Sequence, residues 1–289
     1  AAGATRLNEP TPYLWGPVQD LLFTCGNLYQ PGWVFYCTPG EPDHWPSANA
    51  TEVCSPAEQL MNGFVWGTQA YVFSRLRLYQ LHVNLTGSGQ VIGTPTGCER
   101  GLAAPWAFSV GPRGVSFLST DGLYLTDGGG AQSLTDDHVY GLFHGETVNG
   151  YLPIDWTVTT ALRLEDYDNE LWFLYQDTGG TRQILILDWA DRTWRHFTFG
   201  RQLSCLVAED EGGGSTTKPV LLLGGRTTGK SYTYSGTSDD SLAIAVTIRM
   251  GSRDQGAPRH DKLYGDAYFS ADRAGVTVTV TGALVVPSI

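Results

Sequence analysis

Lysine is nearly absent from this 289-residue chain, and charge of either sign is scarce, with 16% of residues charged against the usual quarter. The balance is acidic, 29 Asp and Glu against 18 Lys and Arg, for a formal net charge of −11. Clustered cations are what neutralise phosphate, so a nucleic-acid-binding surface is not expected. An acidic wall past which DNA slides stays compatible, because it repels phosphate instead of holding it. No stretch of 18 apolar residues occurs, so no membrane-spanning segment is expected. Helix formers are few, while Gly (36) and aromatic residues (12%) are plentiful, which argues against a helical protein. Cys25, Cys37, Cys54, Cys98 and Cys205 include no C-x-x-C pair, so no zinc site is expected. Cys25 and Cys37 could pair across a hairpin, the alternative being buried free thiols. The chain opens Ala-Ala-Gly without Met or an apolar signal core, so a processed start or a fragment is expected. Asn49-Ala-Thr51 and Asn84-Leu-Thr86 match the glycosylation acceptor, a pattern too short to weigh.

What the chain does have is repetition. In Gly114–Gly130 two short apolar runs, Val115–Leu118 and Leu123–Leu125, flank Thr120-Asp121-Gly122, and Asp127-Gly128 follows. Asp-Gly signals a tight hairpin turn, because the turn needs positive φ. Laying Ala70–Leu81 over Val115–Thr126 matches Ser74 with Ser119, Leu78 with Leu123 and Tyr79 with Tyr124. Leu171–Tyr175 with Ile184–Asp188, and Val220–Leu223 with Ser231–Tyr234, are more diverged copies. The apolar runs are spaced by roughly 45, 56 and 49 residues, about one propeller blade per repeat. Each hairpin leaves room for two more strands. The expected fold is an all-β propeller of four-stranded blades, with an all-β sandwich as the plainer alternative. Residues 1–18 are expected as an extended N-terminal arm, 19–240 as the blades, and 241–289 as a last blade, a closing strand or a small C-terminal β module.

Within that frame, Asp20–Cys37 reads as two strands around Pro31-Gly32, and Thr38–Asn49 as an irregular loop anchored by the Trp45 ring. Thr135–His138 is placed to cap a short helix over Val139–Phe143. Trp156–Tyr167 and Glu170–Tyr175 read as strands around Asp168-Asn169, and Asp188–Thr193 as a turn between strands. Glu209–Lys218 reads as a flexible loop.

Motifs for chemistry are weak. Gly224–Ser231 satisfies G-x-x-x-x-G-K-[ST], but Tyr232-Thr-Tyr-Ser-Gly-Thr follows where a P-loop needs a helix, so a Gly- and Thr-rich hairpin turn is expected. Asp121, Asp127, Asp136, Asp137, Asp188 and Asp191 sit where turns favour Asp, so no glycosidase pair can be assigned. Asp166–Glu170 resembles a calcium loop but lacks its Gly. His44, His82, His138, His144, His196 and His260 form no H-x-x-x-H or H-x-H pattern, and no G-x-S-x-G elbow occurs. No enzyme activity, catalytic residue, cofactor site or metal site is expected.

Several stretches nonetheless resemble a family. Gly40–Asn49, Tyr71–Ser74 with Leu78-Tyr79, the run Gly97-Cys98 … Ala104-Pro105 … Gly114–Gly128, and Leu222–Gly225 … Tyr234 … Ser238-Asp239-Asp240 are similar, in order and spacing, to the β-propeller tail proteins of tailed bacteriophages. These are the tail nozzle, tail-tubular and tail-hub stabilisation components, and the likeness covers roughly residues 40–250. It implies a structural virion protein in a homo-oligomeric ring around the channel of DNA ejection. The implied partners are copies of itself and neighbouring tail, adaptor or fibre proteins, docked through loops such as Pro39–Asn49 and Glu209–Lys218. DNA would be a passing, non-specific partner. A secreted lectin-like propeller and a propeller glycosidase are the alternatives.

Overall fold

A computed structural model describes residues 11–84, 90–135, 139–197, 199, 202–209, 219–227, 229–234, 238–239 and 242–243. The chain divides into two units, Ala1–Ile244 and Ala245–Ile289, and the second lies outside the described residues. The first unit is a β-propeller. Its blades are antiparallel meanders, each pairing its strands in chain order. Blade 1 comprises β1 (Tyr13–Val18), β2 (Leu21–Cys25), β3 (Trp33–Tyr36) and β4 (Ala50–Glu52). Blade 2 comprises β5 (Leu60–Trp66), β6 (Gln69–Ser74), β7 (Leu78–Asn84) and β8 (Gln90–Pro95). Blade 3 comprises β9 (Phe108–Gly111), β10 (Gly114–Ser119), β11 (Gly122–Thr126) and β12 (Ala131–Ser133). Blade 4 comprises β13 (Arg163–Tyr167), β14 (Glu170–Gln176), β15 (Arg182–Asp188) and β16 (Trp194–Phe197). Blade 5 shows three strands among the described residues, β17 (Leu203–Glu209), β18 (Val220–Gly225) and β19 (Ser231–Thr233).

Packing distinguishes this architecture from a sandwich. Side chains of a strand alternate between its two faces. In β6, Ala70 and Val72 join a core with Trp15, Phe23 and Val34 of blade 1, while Tyr71 and Phe73 join one with Val115 and Phe117 of blade 3. In β14, Leu171, Phe173 and Tyr175 pack with Leu118 and Leu123 of blade 3, while Trp172 and Leu174 pack with Leu206, Leu221 and Leu223 of blade 5. A middle blade therefore feeds two cores, whereas a sandwich has one. Neighbouring blades also meet through their first strands, β1 against β5, β9 against β13 and β13 against β17. Aromatic rings bridge blades 2 and 3, with Phe73 and Phe117 centroids 4.8 Å apart. At Gly63 of β5 a Cβ would lie 2.2 Å from the Trp15 ring, so glycine lets blade 1 close onto blade 2.

The four apolar runs that mark the repeat fall on β6, β10, β14 and β18, the second strand of each blade. Blade 1 is a further copy that the pattern does not reveal. Two hairpin loops, Gln19-Asp20 and Asp168-Asn169, hold positive φ at both residues (48° and 61°; 46° and 68°), as a two-residue type I′ loop requires.

Several expectations are corrected. Residues 13–18 are a strand of blade 1 with Trp15 and Val18 buried, so this part of the segment read as an arm belongs to a core. The β10–β11 turn is Thr120-Asp121, because Ser119 pairs with Gly122, which opens the next strand. Strand β13 begins at Arg163, and the preceding residues include a 3-10 turn at Thr159–Ala161. The helix α1 spans Tyr140–Phe143 with Val139 as an N-cap that makes no side-chain bond, while Thr135 Oγ1 accepts from Leu123 N at 2.7 Å instead. For Cys25 and Cys37 the plainer expectation holds: both are free thiols, buried like Cys54 and Cys98, whereas Cys205 is exposed. Residues 136–138, 210–218 and 244–289 lie outside the described residues.

Candidate functional surface

Three turns converge where blades 3 and 4 meet. The β9–β10 turn supplies Arg113, the β13–β14 turn Asn169, and the β15–β16 turn Trp189 and Arg192. Arg113 donates to Asn169 Oδ1, and both its guanidinium and that of Arg192 lie 5.2 Å from the Trp189 ring centroid. Cations over an indole face are attracted by its quadrupole. Trp189 Nε1 donates to Asp166 Oδ2 at 3.0 Å, and Asp166 N donates to Ser109 Oγ of β9 at 2.9 Å, so Asp166 ties the two blades. Burial pushes the Asp166 carboxyl up, against the opposing pull of the Trp189 bond and the Arg113 charge. Beside this cluster runs a groove of about 410 Å³ lined by Arg113, Leu125, Asp127, Gly130, Ala131 and Gln132. It offers one cation, one carboxylate and an amide. It holds no Ser, Cys or His, so nothing there pairs a nucleophile with a base.

A second surface lies on the loops of blade 1. Asn27 Oδ1 accepts from Tyr29 N at 2.8 Å and Gln30 N at 3.0 Å, fixing a turn that leaves Leu28 and Tyr29 77% and 76% exposed. Nearby, Tyr13 meets the half-exposed Trp106 edge-on at 5.8 Å. The loop 38–49 is held by its own bonds: Thr38 N donates to His44 O at 2.8 Å, and His44 Nδ1 lies 2.8 Å from Thr38 Oγ1 and 3.0 Å from Glu41 Oε2. Trp45 is partly buried against the first core, with Nε1 on Pro42 O at 2.8 Å.

The candidate residues of the sequence do not gather into one site. Asp121 pairs with Arg100 at 3.2 Å. Asp127, Asp188 and Asp191 accept backbone N–H groups from Gly129, Ala190 and Thr193 within their turns. Asp136, Asp137, His138 and His260 lie outside the described residues. His82 lies 2.7 Å from Thr94 Oγ1, and His144 stacks on Tyr140. Gly224–Ser231 is the β18–β19 hairpin, with Gly224 paired to Ser231. Asp166–Glu170 is the end of β13, the Asp168-Asn169 type I′ loop and the first residue of β14. Among the described residues no three His, Cys, Asp or Glu stand together as metal ligands.

Blade 4 holds two half-buried titratable groups that the pattern does not flag. His196 stacks on Tyr151 at 3.6 Å and lies 3.3 Å from Tyr175 Oη, and burial pushes its pKa down to about 4. Glu165 faces Ala208 of blade 5, and burial pushes its carboxyl up to about 7, with the Ala208 backbone bond opposing and the Asp166 charge adding. Both lie on mixed outer strands, Arg-Leu-Glu-Asp-Tyr and Trp-Arg-His-Phe, whose charged residues give no sign of which one faces a neighbouring blade, which is why the pattern misses them.

No protein-family model matches the chain, and no curated protein matches it. Solved structures do, all at low identity. BBS1N, from its complex with ARL6DN, is 13% identical, with a TM-score of 0.43 over 73% of this chain and 60% of that one. TolB from Acinetobacter baumannii is 17% identical, with a TM-score of 0.38 over 78% and 56%. Sqt1 of Saccharomyces cerevisiae is 13% identical, with a TM-score of 0.42 over 76% and 58%. These neighbours are β-propellers, and the chain spans less than two thirds of each of them. At such identities the likeness concerns the fold alone.

Proposed function

We propose that the chain is a structural propeller of a tailed-bacteriophage virion, one subunit of a homo-oligomeric ring at the tail nozzle or hub. Its work is mechanical and not catalytic. Rigid blades hold loops that dock other copies and neighbouring tail, adaptor or fibre proteins around a channel through which DNA passes. The observation that carries the reading is the ordered presentation of Leu28 and Tyr29, three-quarters exposed on a turn fixed by Asn27. Exposed apolar side chains on a backbone turn that is already fixed suit a protein partner, because less of the loop must be ordered on docking. The acidic balance suits a channel that must not retain phosphate. The phage identity of the partners rests on the sequence resemblance over residues 40–250.

The test is native mass spectrometry and negative-stain imaging of the purified chain, with Leu28→Ser/Tyr29→Ser as a comparison. A ring that the double variant dissociates is expected. A monomer that binds glycans and loses them on Trp106→Ala would favour the lectin-like alternative. A monomer that hydrolyses glycosides and loses activity on Asp→Asn changes would favour the glycosidase.

A further inference from the structure

Three arginines converge where blades 4 and 5 meet. Arg163 opens β13, Arg182 opens β15, and Arg226 follows β18. Gln202 ties two of them: its side-chain oxygen accepts from Arg182 N at 3.2 Å, and its backbone oxygen accepts from Arg226 N at 2.8 Å. Arg226 also donates from Nη1 to Gln176 Oε1 at 3.3 Å, and Arg163 donates from Nη1 to Leu162 O at 2.8 Å. Arg182 is 8% exposed, and its Nε and Nη1 are both buried with no hydrogen-bond partner.

Among the described residues, no carboxylate forms an ion pair with any of the three. Asp177, next to Gln176, is occupied elsewhere: Oδ1 accepts from Gly179 N and Thr181 N, and Oδ2 from Gln183 Nε2. A guanidinium cannot shed its proton in a protein, so burial leaves a fixed charge that needs an acceptor. Burial, then the Arg226 and Arg163 charges, push the Arg182 pKa down, so the three cations lie within one another's field. In a chain of net charge −11, such a cluster with no ion-paired carboxylate among the described residues is an exception that needs a reason.

We infer that Arg182, flanked by Arg163 and Arg226, forms a binding site for a small tetrahedral oxyanion of the phosphate or sulfate type. The anion would lie against the exposed guanidinium of Arg226 and draw the Arg182 guanidinium toward it, so that the nitrogens closed off without a partner in the free chain become its donors. Charge-assisted bonds to such oxygens are the strong ones, and a guanidinium is the donor best suited to them. The site is distinct from the loops of the proposed ring and stands whether or not the chain is a tail protein.

Isothermal titration of inorganic phosphate into the full chain at constant ionic strength, with sulfate and acetate as parallel arms, tests it. Saturable binding of phosphate or sulfate, with weaker binding of acetate, is expected. Arg226→Gln, a change at an exposed residue, weakens binding roughly tenfold, the loss of about one charged hydrogen bond. Arg182→Met abolishes it while leaving the melting temperature in phosphate-free buffer unchanged or higher, because a buried unpaired charge has gone. No saturable binding at millimolar phosphate, or an Arg226→Gln chain that binds as tightly as its parent, overturns the inference. The second result stays decisive even if Arg182→Met fails to fold. If acetate binds as tightly as phosphate, the assignment to tetrahedral oxyanions falls.

Discussion

In blade 4, β14 reads Glu-Leu-Trp-Phe-Leu-Tyr-Gln, and every residue after the first is buried; in blade 5, the equivalent β18 reads Val-Leu-Leu-Leu-Gly-Gly, and Leu221 and Leu223 alone are. Both are apolar runs at the same place in the repeat. The partner strands differ in the same way, since β15 is buried up to its last residue, whereas β17 exposes Cys205, Val207 and Glu209. A strand enclosed on both faces reads as a near-continuous apolar run, here with its buried polar residues, Gln176, Arg182 and Gln183, kept to the strand ends. The comparison teaches that the run itself does not set burial; the sheets on either side of it do. A blade between two blades has two cores to fill, and aromatic residues fill them.

The sharpest way to break the comparison is to truncate one side chain from each blade. Phe173→Ala removes a fully buried ring of blade 4 and should cost about 3–5 kcal/mol. Val207→Ala, at a position 52% exposed in blade 5, should stay within about 0.5 kcal/mol. Urea unfolding of the two variants checks this, and equal losses would mean that the two blades are buried alike.

The pH dependence probes blade 4 from both of its faces. The stability contributed by neutral His196 is present above its ordinary pKa of 6.5 and is lost as pH falls through about 4, a swing of about 3 kcal/mol at most. Glu165 has the opposite sign: its contribution is present below the ordinary 4.5 and is lost as pH rises through about 7. Denaturation at a series of pH values should therefore show His196→Gln flattening the acid limb and Glu165→Gln flattening the limb toward neutrality. A profile that neither variant alters would contradict the shift that partial burial imposes on both groups. A smaller effect tests the contact between blades 1 and 2. Gly63→Ala places a methyl against the Trp15 ring and should lower stability by about 1–3 kcal/mol, which Trp15→Leu partly restores.

Much of this architecture was legible in the chain. The repeat was readable because β6, β10, β14 and β18 are of similar length, six or seven residues, and share an apolar content and a turn after them. Blade 1 was hidden for a physical reason. The loop between β2 and β3, with Asn27 and Pro31-Gly32, is longer than the Thr120-Asp121 turn, so no alignment of hairpin against hairpin finds it. Gly122 looked like a turn residue because Asp-Gly so often is one, yet pairing with Ser119 puts it in the strand. The arginines between blades 4 and 5 were illegible for another reason. Arg163 and Arg182 are brought together by strand pairing within blade 4, and only the stacking of blade 5 adds Arg226, so no local pattern joins the three.

The account depends on neighbouring sheets sharing a core through alternate residues of one strand. Double-mutant cycles across blades 2 and 3 measure this. Phe73 and Phe117, with ring centroids 4.8 Å apart, belong to one core, while Val72, next to Phe73 in the chain, belongs to the core on the other face. With Phe73→Leu, Phe117→Leu and Val72→Ala, the account predicts a coupling of about 1 kcal/mol for Phe73 with Phe117 and additivity within about 0.5 kcal/mol for Val72 with Phe117. Equal couplings for the two pairs, or the larger one for Val72, would contradict it.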